Sequence, residues 1–133
     1  ALEGVSGNAG LFSTAADVAT YCKALLAGRE QRGVFPLNPP AVRRMFTKAI
    51  PESIGGQTWG WFAPPNDMMI GGDFASRSSI GHTGFTGTCV TIDPESETFV
   101  ILLTNRVCNN DDGLAFRHLR RRFYNSVFGS IVC

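Results

Sequence analysis

The stretch that decides the fold is GHTGFTGTCVTIDPESETFVILLTNR, residues 81–106. Two predicted strands, Thr86–Asp93 and the second run Thr98–Thr104, flank the short connection Pro94–Glu97. A connection of this length forces the strands that it joins to run antiparallel. The letters FVILL in the second run are apolar on both faces of a strand, which predicts a sheet covered by other elements on both sides.

Helices are predicted before this pair of strands. Ser13 or Thr14 is a suitable N-cap, with Asp17 in the first turn where the helix dipole favours a negative charge. Apolar residues then recur at helical spacing as far as Gly28, the predicted C-terminal stop. Asn38, followed by two prolines, predicts the start of a second, shorter helix.

A closing helix is predicted from Leu114 to Phe128. Its arginines are expected to face solvent, and its inward residues are expected to be Phe116, Leu119, Phe123, Val127 and Ile131. The letters TWGWF, residues 58–62, alternate like a strand, and Met68–Ile70 is a further short candidate. The order helix, helix, strand, strand, strand, helix predicts an α+β fold, an antiparallel β-sheet flanked by helices.

The length, composition and net charge of the chain exclude some classes of function. A chain of 133 residues, with 44% hydrophobic and 17% charged residues, has the composition of one globular domain. The net charge of +1 provides no general attraction for nucleic acid or acidic membrane, and no apolar run approaches the ~20 residues of a membrane span. The run Arg120–Arg122 is interpreted as a solvated helix face, the alternative being a local nucleic-acid patch. Neither nucleic acid nor membrane is therefore an expected partner.

The cysteines Cys22, Cys89, Cys108 and Cys133 have no CxxC pairing, and no histidine stands at metal-ligand spacing. They are interpreted as reduced thiols, which weakly favours a cytoplasmic location, although a disulfide between Cys89 and Cys108 stays open. No metal and no cofactor is expected. The chain opens at Ala1 rather than Met and without a signal peptide, so it is expected to be a processed product or part of a longer protein.

Three glycines, two threonines and one of the two histidines occupy the seven residues 81–87. Glycines allow a ligand to approach the backbone closely, and backbone N–H groups that face a cleft can hold an oxyanion. His82 and Thr83 would add side-chain donors beside that backbone. The alternative is structural: the glycines mark a bulge and His82 is an ordinary edge residue.

Residues 81–107, GHTGFTGTCVTIDPESETFVILLTNRV, resemble the third active-site motif and following strands of the penicillin-recognising serine hydrolases. That family includes class C β-lactamases, DD-peptidases and related esterases, and its motif is Lys-Thr-Gly, with His-Thr-Gly as a variant. GVSGNAGLFSTAADVATYCKALLAG, residues 4–28, resembles the family's loop and helix ahead of the motif. TWGWF stands where these proteins usually carry a Gly-x-Gly-Trp strand.

The resemblance implies roles for five residues. His82, Thr83 and Gly84 match the Lys-Thr-Gly motif, whose first two residues bind the substrate carboxylate or polarise the active-site hydroxyls. The N–H of Phe85 would be one half of the oxyanion hole, and Gly84 and Thr86 would contact substrate. A lysine is a permanent cation, whereas the histidine that replaces it is often neutral at pH 7. Carboxylate capture is therefore in doubt, and an ester, amide or peptide substrate stays open.

The family's nucleophile, the serine of a Ser-x-x-Lys motif, is missing from this sequence. The nearest approximation to Ser-x-x-Lys is Thr20–Lys23, which begins with threonine and lies inside the first predicted helix. A formal match to the second family motif, Ser6–Asn8, is interpreted as a turn in a glycine-rich loop. The resemblance thus implies that residues 1–133 are the C-terminal portion of a β-lactamase-like serine hydrolase domain, a partial transpeptidase-like fold that lacks the nucleophile-bearing N-terminal part.

The expected function is cleavage of a small-molecule ester, amide or peptide by acyl-enzyme transfer, with the nucleophile on an upstream segment. The chain by itself is then expected to be inactive. Loss of the upstream strands predicts an exposed sheet edge, to be covered by a complementing N-terminal chain or by self-association. The alternative is a non-catalytic binding or scaffold protein that kept the sheet and lost the chemistry.

Overall fold

The computed structural model describes residues 9–30, 36–65, 71–109 and 113–131. Three helices and three strands make up its main elements: α1 (Ala15–Arg29), α2 (Pro39–Met45), β1 (Ile80–Thr83), β2 (Cys89–Asp93), β3 (Thr98–Leu102) and α3 (Leu114–Gly129). The strands form one antiparallel sheet in the order β1-β2-β3. The predicted α+β architecture, an antiparallel sheet flanked by helices, is confirmed.

Helices pack on both faces of the sheet. Side chains alternate between the two faces along β2, so its residues contribute to a different buried cluster on each side. Ile92 belongs to a buried cluster with Leu25 of α1 and Val42 of α2. Cys89 belongs to a second cluster with Tyr124 and Phe128 of α3. The structure is therefore three layers deep, with α1 and α2 on one face and α3 on the other, as the two-faced apolar character of β3 predicted.

The caps of the first two helices are as predicted. The Thr14 hydroxyl accepts from the backbone N–H of Asp17 (3.1 Å) and donates to the carboxylate of Asp17 (3.0 Å). The Asn38 side chain accepts from a first-turn N–H of α2 (2.9 Å). The predicted stop at Gly28 is early, since α1 continues for one more residue and Gly28 is buried within it.

The predicted strand over TWGWF is wrong. Its backbone turns at Gly60 (φ 84°), and the N–H of Thr58 donates to the carbonyl of Trp61 (2.9 Å). Only Phe62 pairs, as an isolated bridge to Gly81 of β1. The positive φ at Gly60 breaks the extended backbone that the alternating pattern had indicated.

The third strand is instead the motif itself, Ile80–Thr83, which sequence patterning did not separate from the strand that follows. That following strand begins at Cys89 and not at Thr86, because Gly84 and Gly87 close a turn (Gly87 N to Gly84 O, 3.0 Å). β3 likewise ends two residues earlier than predicted.

The buried face of α3 also differs from the prediction. Leu119, predicted to face inward, is 54% exposed, whereas Arg120 is only 5% exposed. The guanidinium of Arg120 lies over the ring of Phe116, 6.0 Å from the ring centroid. The face of an aromatic ring attracts a cation, which offsets part of the cost of burying the charge. The buried face consists of Phe116, Arg120, Tyr124 and Phe128.

Within the described residues, no strand pairs with the outer edge of β3. Leu103, just beyond that strand, is 52% exposed. The exposed edge expected from the sequence is thus present in the described part of the chain. No helix there is long and apolar enough to cross a membrane.

Cys22, Cys89 and Cys108 are free thiols, so the alternative of a Cys89–Cys108 disulfide is wrong. Three features considered in the sequence lie outside the described residues: Ser6–Asn8, Met68–Ile70 and Cys133.

Candidate active site

The residues of the motif end the edge strand β1. His82 lies opposite Val90 of β2, and Thr83 lies opposite Cys89. Because successive strand residues point to opposite faces, His82 is on the face covered by α1 and Thr83 is on the face covered by α3. On its free edge, β1 makes only the bridge from Gly81 to Phe62 among the described residues. One edge of the motif strand is therefore open toward its end.

A tight turn follows the motif. The N–H of Gly84 donates to the carbonyl of Thr88 (2.6 Å), and the N–H of Gly87 donates to the carbonyl of Gly84 (3.0 Å). The peptide from Gly84 to Phe85 is trans, so its N–H and C=O point in opposite directions. Since the Gly84 carbonyl points into the turn, the Phe85 N–H points out of it. No acceptor for that N–H is found in the described part of the chain.

The first of two cavities beside the motif lies on the α3 side, with a volume of about 410 Å³. Positive charge distinguishes it, because three arginines and no acidic side chain are among its described lining residues. These arginines come from the start of the 3₁₀ turn after β3 (Arg106–Asn109) and from the first two turns of α3. The lining residues are Thr83, Gly84, Phe85, Gly87, Arg106, Gly113, Leu114, Phe116, Arg117 and Arg120.

The second cavity lies on the α1 side, with a volume of about 340 Å³. Apart from His82 and a few hydroxyls and backbone groups, its walls are apolar. The lining residues are Leu11, Ser13, Val18, His82, Thr83, Gly84, Thr88, Cys89, Val90, Ile101 and Leu103.

The environment of His82 fixes which ring nitrogen carries a proton. Its Nδ1 is 2.9 Å from the carbonyl oxygen of Thr83, and its ring lies against Phe62 with centroids 5.0 Å apart. A carbonyl only accepts, so Nδ1 is the donor. In the neutral ring, Nε2 then carries a lone pair and can accept a proton or a hydrogen bond. A lysine at this position has no such acceptor.

The five residues assigned by resemblance are adjacent in the structure, but they do not all reach the same space. Thr83 and Gly84 line both cavities, His82 lines only the α1-side cavity, and Phe85 lines only the α3-side cavity. Thr86 lines neither cavity. Its carbonyl accepts a hydrogen bond from the backbone N–H of Arg106 (2.9 Å). The roles assigned to these five residues stay predictions.

The sequence analysis predicts Phe116 as an inward residue of α3, but it does not predict that arginines line a cavity beside the motif. Arg117 and Arg120 carry no sequence signal that separates them from an ordinary solvated helix face. The prediction that Arg120 faces solvent is wrong.

The buried thiols of the chain are poor nucleophiles. Burial raises the pKa of Cys89, against the smaller opposing effect of the charge of Arg120. Burial also raises the pKa of Cys22 to about 11. Because the thiolate is the reactive form, neither side chain replaces the missing serine at neutral pH.

The sequence is similar to those of known proteins. The sequence model of the Beta-lactamase family matches residues 1–123. A protein of Escherichia coli (strain K12) named "Putative D-alanyl-D-alanine carboxypeptidase" is 35% identical over 105 residues, which are 77% of this chain and 24% of that protein. A protein of the same name from Salmonella agona (strain SL483) is 37% identical, with the same coverage of both chains. The chain therefore spans about a quarter of the length of these curated relatives, and it belongs to the β-lactamase family of penicillin-recognising serine hydrolases.

Proposed function

We propose that residues 1–133 are the C-terminal part of a serine hydrolase that cleaves an ester or amide bond by acyl-enzyme transfer, with its nucleophile on an upstream segment. The sequence contains no Ser-x-x-Lys, and the chain corresponds to only 24% of its E. coli relative. A serine with an adjacent base is needed to form the acyl-enzyme. This chain would contribute the opposite wall of the cleft.

The observation that carries the proposal is the outward-pointing N–H of Phe85 beside the open end of the motif strand. In acyl transfer, the serine oxygen attacks the substrate carbonyl and the carbonyl oxygen becomes an oxyanion. A fixed backbone N–H aimed at that oxygen stabilises the tetrahedral intermediate, which collapses with loss of the amine or alcohol. Water then releases the acid and regenerates the serine.

His82 would act differently from the lysine of the usual motif. With Nδ1 donating to the Thr83 carbonyl, the Nε2 lone pair can accept a proton from a hydroxyl that enters the α1-side cavity. Thr83, which lines both cavities, would supply a hydroxyl. Proton acceptance and substrate positioning would then be divided between these two side chains.

The arginine-lined cavity supports a substrate with an anionic group. Arg117 and Arg120 lie on the wall that also contains Thr83, so positive charge is present although the motif has no lysine. Arginine pairs well with carboxylates because its planar fork matches their two oxygens. Together with the name of the relatives, this makes a peptide that ends in D-alanyl-D-alanine the first substrate to test.

A second candidate function is a non-catalytic binding or scaffold protein. It is favoured by the absence of Ser-x-x-Lys from the sequence and by the unpaired outer edge of β3 within the described residues. That edge could accept a strand from a complementing chain or from a second copy.

Intact-mass spectrometry after incubation with a fluorophosphonate, and separately with benzylpenicillin, tests the proposal. The samples are this chain and a longer polypeptide that contains it. We expect an adduct on the longer polypeptide and none on the 14.4 kDa chain. An adduct on the short chain would mean that the nucleophile lies within residues 1–133. A longer polypeptide that forms no adduct would favour the scaffold alternative.

A further inference from the structure

We infer that Arg106 is a positioning residue for the oxyanion-binding N–H of Phe85. The inference rests on the proposed function, because it assigns Arg106 a role only if Phe85 stabilises an oxyanion. Arg106 is the first residue of the 3₁₀ turn after β3, 21 positions beyond Phe85 in the sequence. Neither the motif nor the family resemblance drew attention to it.

Arg106 makes three contacts with the turn after the motif. Its side-chain Nε–H donates to the carbonyl of Phe85 (3.0 Å), and its backbone N–H donates to the carbonyl of Thr86 (2.9 Å). Its guanidinium lies over the ring of Phe85, 5.4 Å from the centroid. Arg106 therefore contacts the carbonyls of Phe85 and Thr86 and the ring of Phe85, all in the connection between β1 and β2.

These contacts bear on the Phe85 N–H because the turn consists of three linked peptide planes. The plane that contains this N–H is held by the bond from Gly87 to the Gly84 carbonyl, and the next two planes are held by Arg106. A trans peptide moves as a rigid unit, so rotation of either later plane changes the torsions on which the first plane depends. Arg106 thus restricts the direction in which the N–H points.

The side chain of Arg106 also lies beside the start of α3. A Cβ atom added to Gly113, which precedes α3, would lie 3.4 Å from Nη1 of Arg106. The guanidinium is therefore near both Gly113 and the ring of Phe85. A rigid support of this kind matters in catalysis because a misplacement of ~1 Å can cost about a hundredfold in rate.

Loss of the side chain should disturb orientation more than stability. Phe85 is 81% exposed, so its carbonyl can accept from water when the guanidinium is removed. The backbone bond to Thr86 does not depend on the side chain. The expected signature is a lower kcat with little change in KM, since the oxyanion exists only in the transition state and the intermediate.

The test uses the longer polypeptide that contains this chain, with 4-nitrophenyl acetate as a neutral substrate on which a lost positive charge has little direct effect. For Arg106→Met we expect kcat to fall by about tenfold to a hundredfold with KM within threefold of wild type. The kcat of Arg106→Lys should lie between those of wild type and Arg106→Met, because a lysine keeps the cation but not the Nε–H donor. If Arg106→Met does not fold, the Lys variant alone carries the test.

Arg43→Met is the matched control, because Arg43 also donates from its side chain to a backbone carbonyl (that of Arg29, 3.2 Å) on an exposed part of α2. We expect its kcat to equal that of wild type. A kcat for the Arg106 variants within twofold of wild type would overturn the inference and leave the proposed function standing. A wild-type polypeptide with no turnover would overturn both.

Discussion

Gly87 packs against the ring of Phe116: a Cβ added to Gly87 would lie 3.0 Å from Cζ of that ring. It would also lie 2.8 Å from the hydroxyl of Thr104. The turn after the motif therefore packs against the first turn of α3 and against Thr104, two residues beyond the end of β3. This contact, together with Arg106, explains how a five-residue connection can present the Phe85 N–H in a fixed direction.

Gly87→Ala is expected to destabilise the protein by about 3 kcal/mol, through backbone strain and overpacking. Strain follows from its φ of 99°, and overpacking follows from the close contacts with Phe116 and Thr104. Gly60→Ala is the control, since Gly60 also has a positive φ (84°) but nothing within 4 Å of the added Cβ. It should cost about 1 kcal/mol. Urea unfolding measures both values, and equal losses would show that packing at Gly87 contributes nothing.

The parts of the fold that the sequence predicted depend on local chemistry. Thr14 and Asn38 are caps whose side chains bond within the next three residues, so they are recognisable without knowledge of tertiary contacts. The pairing of β2 with β3 follows from the short connection between two apolar runs.

The parts that failed depend on distant contacts. The motif strand β1 is four residues long and contains a glycine, and it is a strand because it pairs with β2. Arg120 is buried, with its guanidinium over the ring of Phe116, which a polar-outside rule does not foresee. The candidate site shows the same division: the resemblance predicts roles for the five residues from His82 to Thr86, whereas only the folded chain places Arg106 and the other arginines beside them.

The Asp73 carboxylate should link stability to pH. It accepts bidentate bonds from Arg121 (2.8–3.0 Å) and a further bond from Asn125 (2.6 Å). The hydrogen bonds from Arg121, and then that from Asn125, lower the pKa of Asp73 below its ordinary value of 3.8. A lowered carboxyl pKa adds stability that is present above the ordinary value and is lost as the pH falls through the lowered one.

Asp73→Asn should therefore have a lower Tm than wild type at pH 6, and the difference should shrink below pH 3.8. The gap is expected to be modest, since both partners are exposed to solvent. Thermal unfolding followed by circular dichroism from pH 2 to pH 7 measures it. Glu95→Gln, which changes an exposed carboxylate elsewhere, controls for net charge. A difference that stayed constant down to pH 2 would contradict the electrostatic account.

The three described cysteines should differ in reactivity. Cys108 is exposed, while Cys22 and Cys89 are buried in the two clusters on either side of the sheet. With the pKa of Cys22 raised to about 11, about one thiol in a thousand is ionised at pH 8. Iodoacetamide should therefore label Cys108 long before the other two, as read by peptide mapping. Comparable rates at Cys22 and Cys108 would mean that α1 does not stay packed on the sheet.

The same shift predicts a loss of stability in alkali. A raised thiol pKa favours the neutral form in the folded state, so its contribution is complete below pH 9 and is lost as the pH rises toward 11. Cys22→Ala, although less stable overall, should lose less of its remaining stability between pH 9 and pH 11 than wild type does. Cys108→Ala serves as the control and should keep the wild-type slope. The free energy of unfolding is measured in urea at each pH. If it fell equally steeply with pH for Cys22→Ala and for wild type, Cys22 would be excluded as the source of the loss.

Restoring the family's lysine tests the consequence of the histidine in the motif. His82→Lys places a permanent cation on the α1 face of β1, at the cost of the ring contact with Phe62 and of the Nε2 acceptor. In the longer polypeptide we expect acylation by benzylpenicillin, which carries a carboxylate, to become about tenfold faster, because each ~1.4 kcal/mol of added attraction is tenfold. Turnover of the neutral 4-nitrophenyl acetate should fall, since the acceptor is lost. Ser53→Lys, an exposed change at a residue that lines neither cavity, controls for net charge and should alter neither rate. Equal changes with the two substrates would show that His82 acts through the fold of β1 rather than through the charge or proton on its ring.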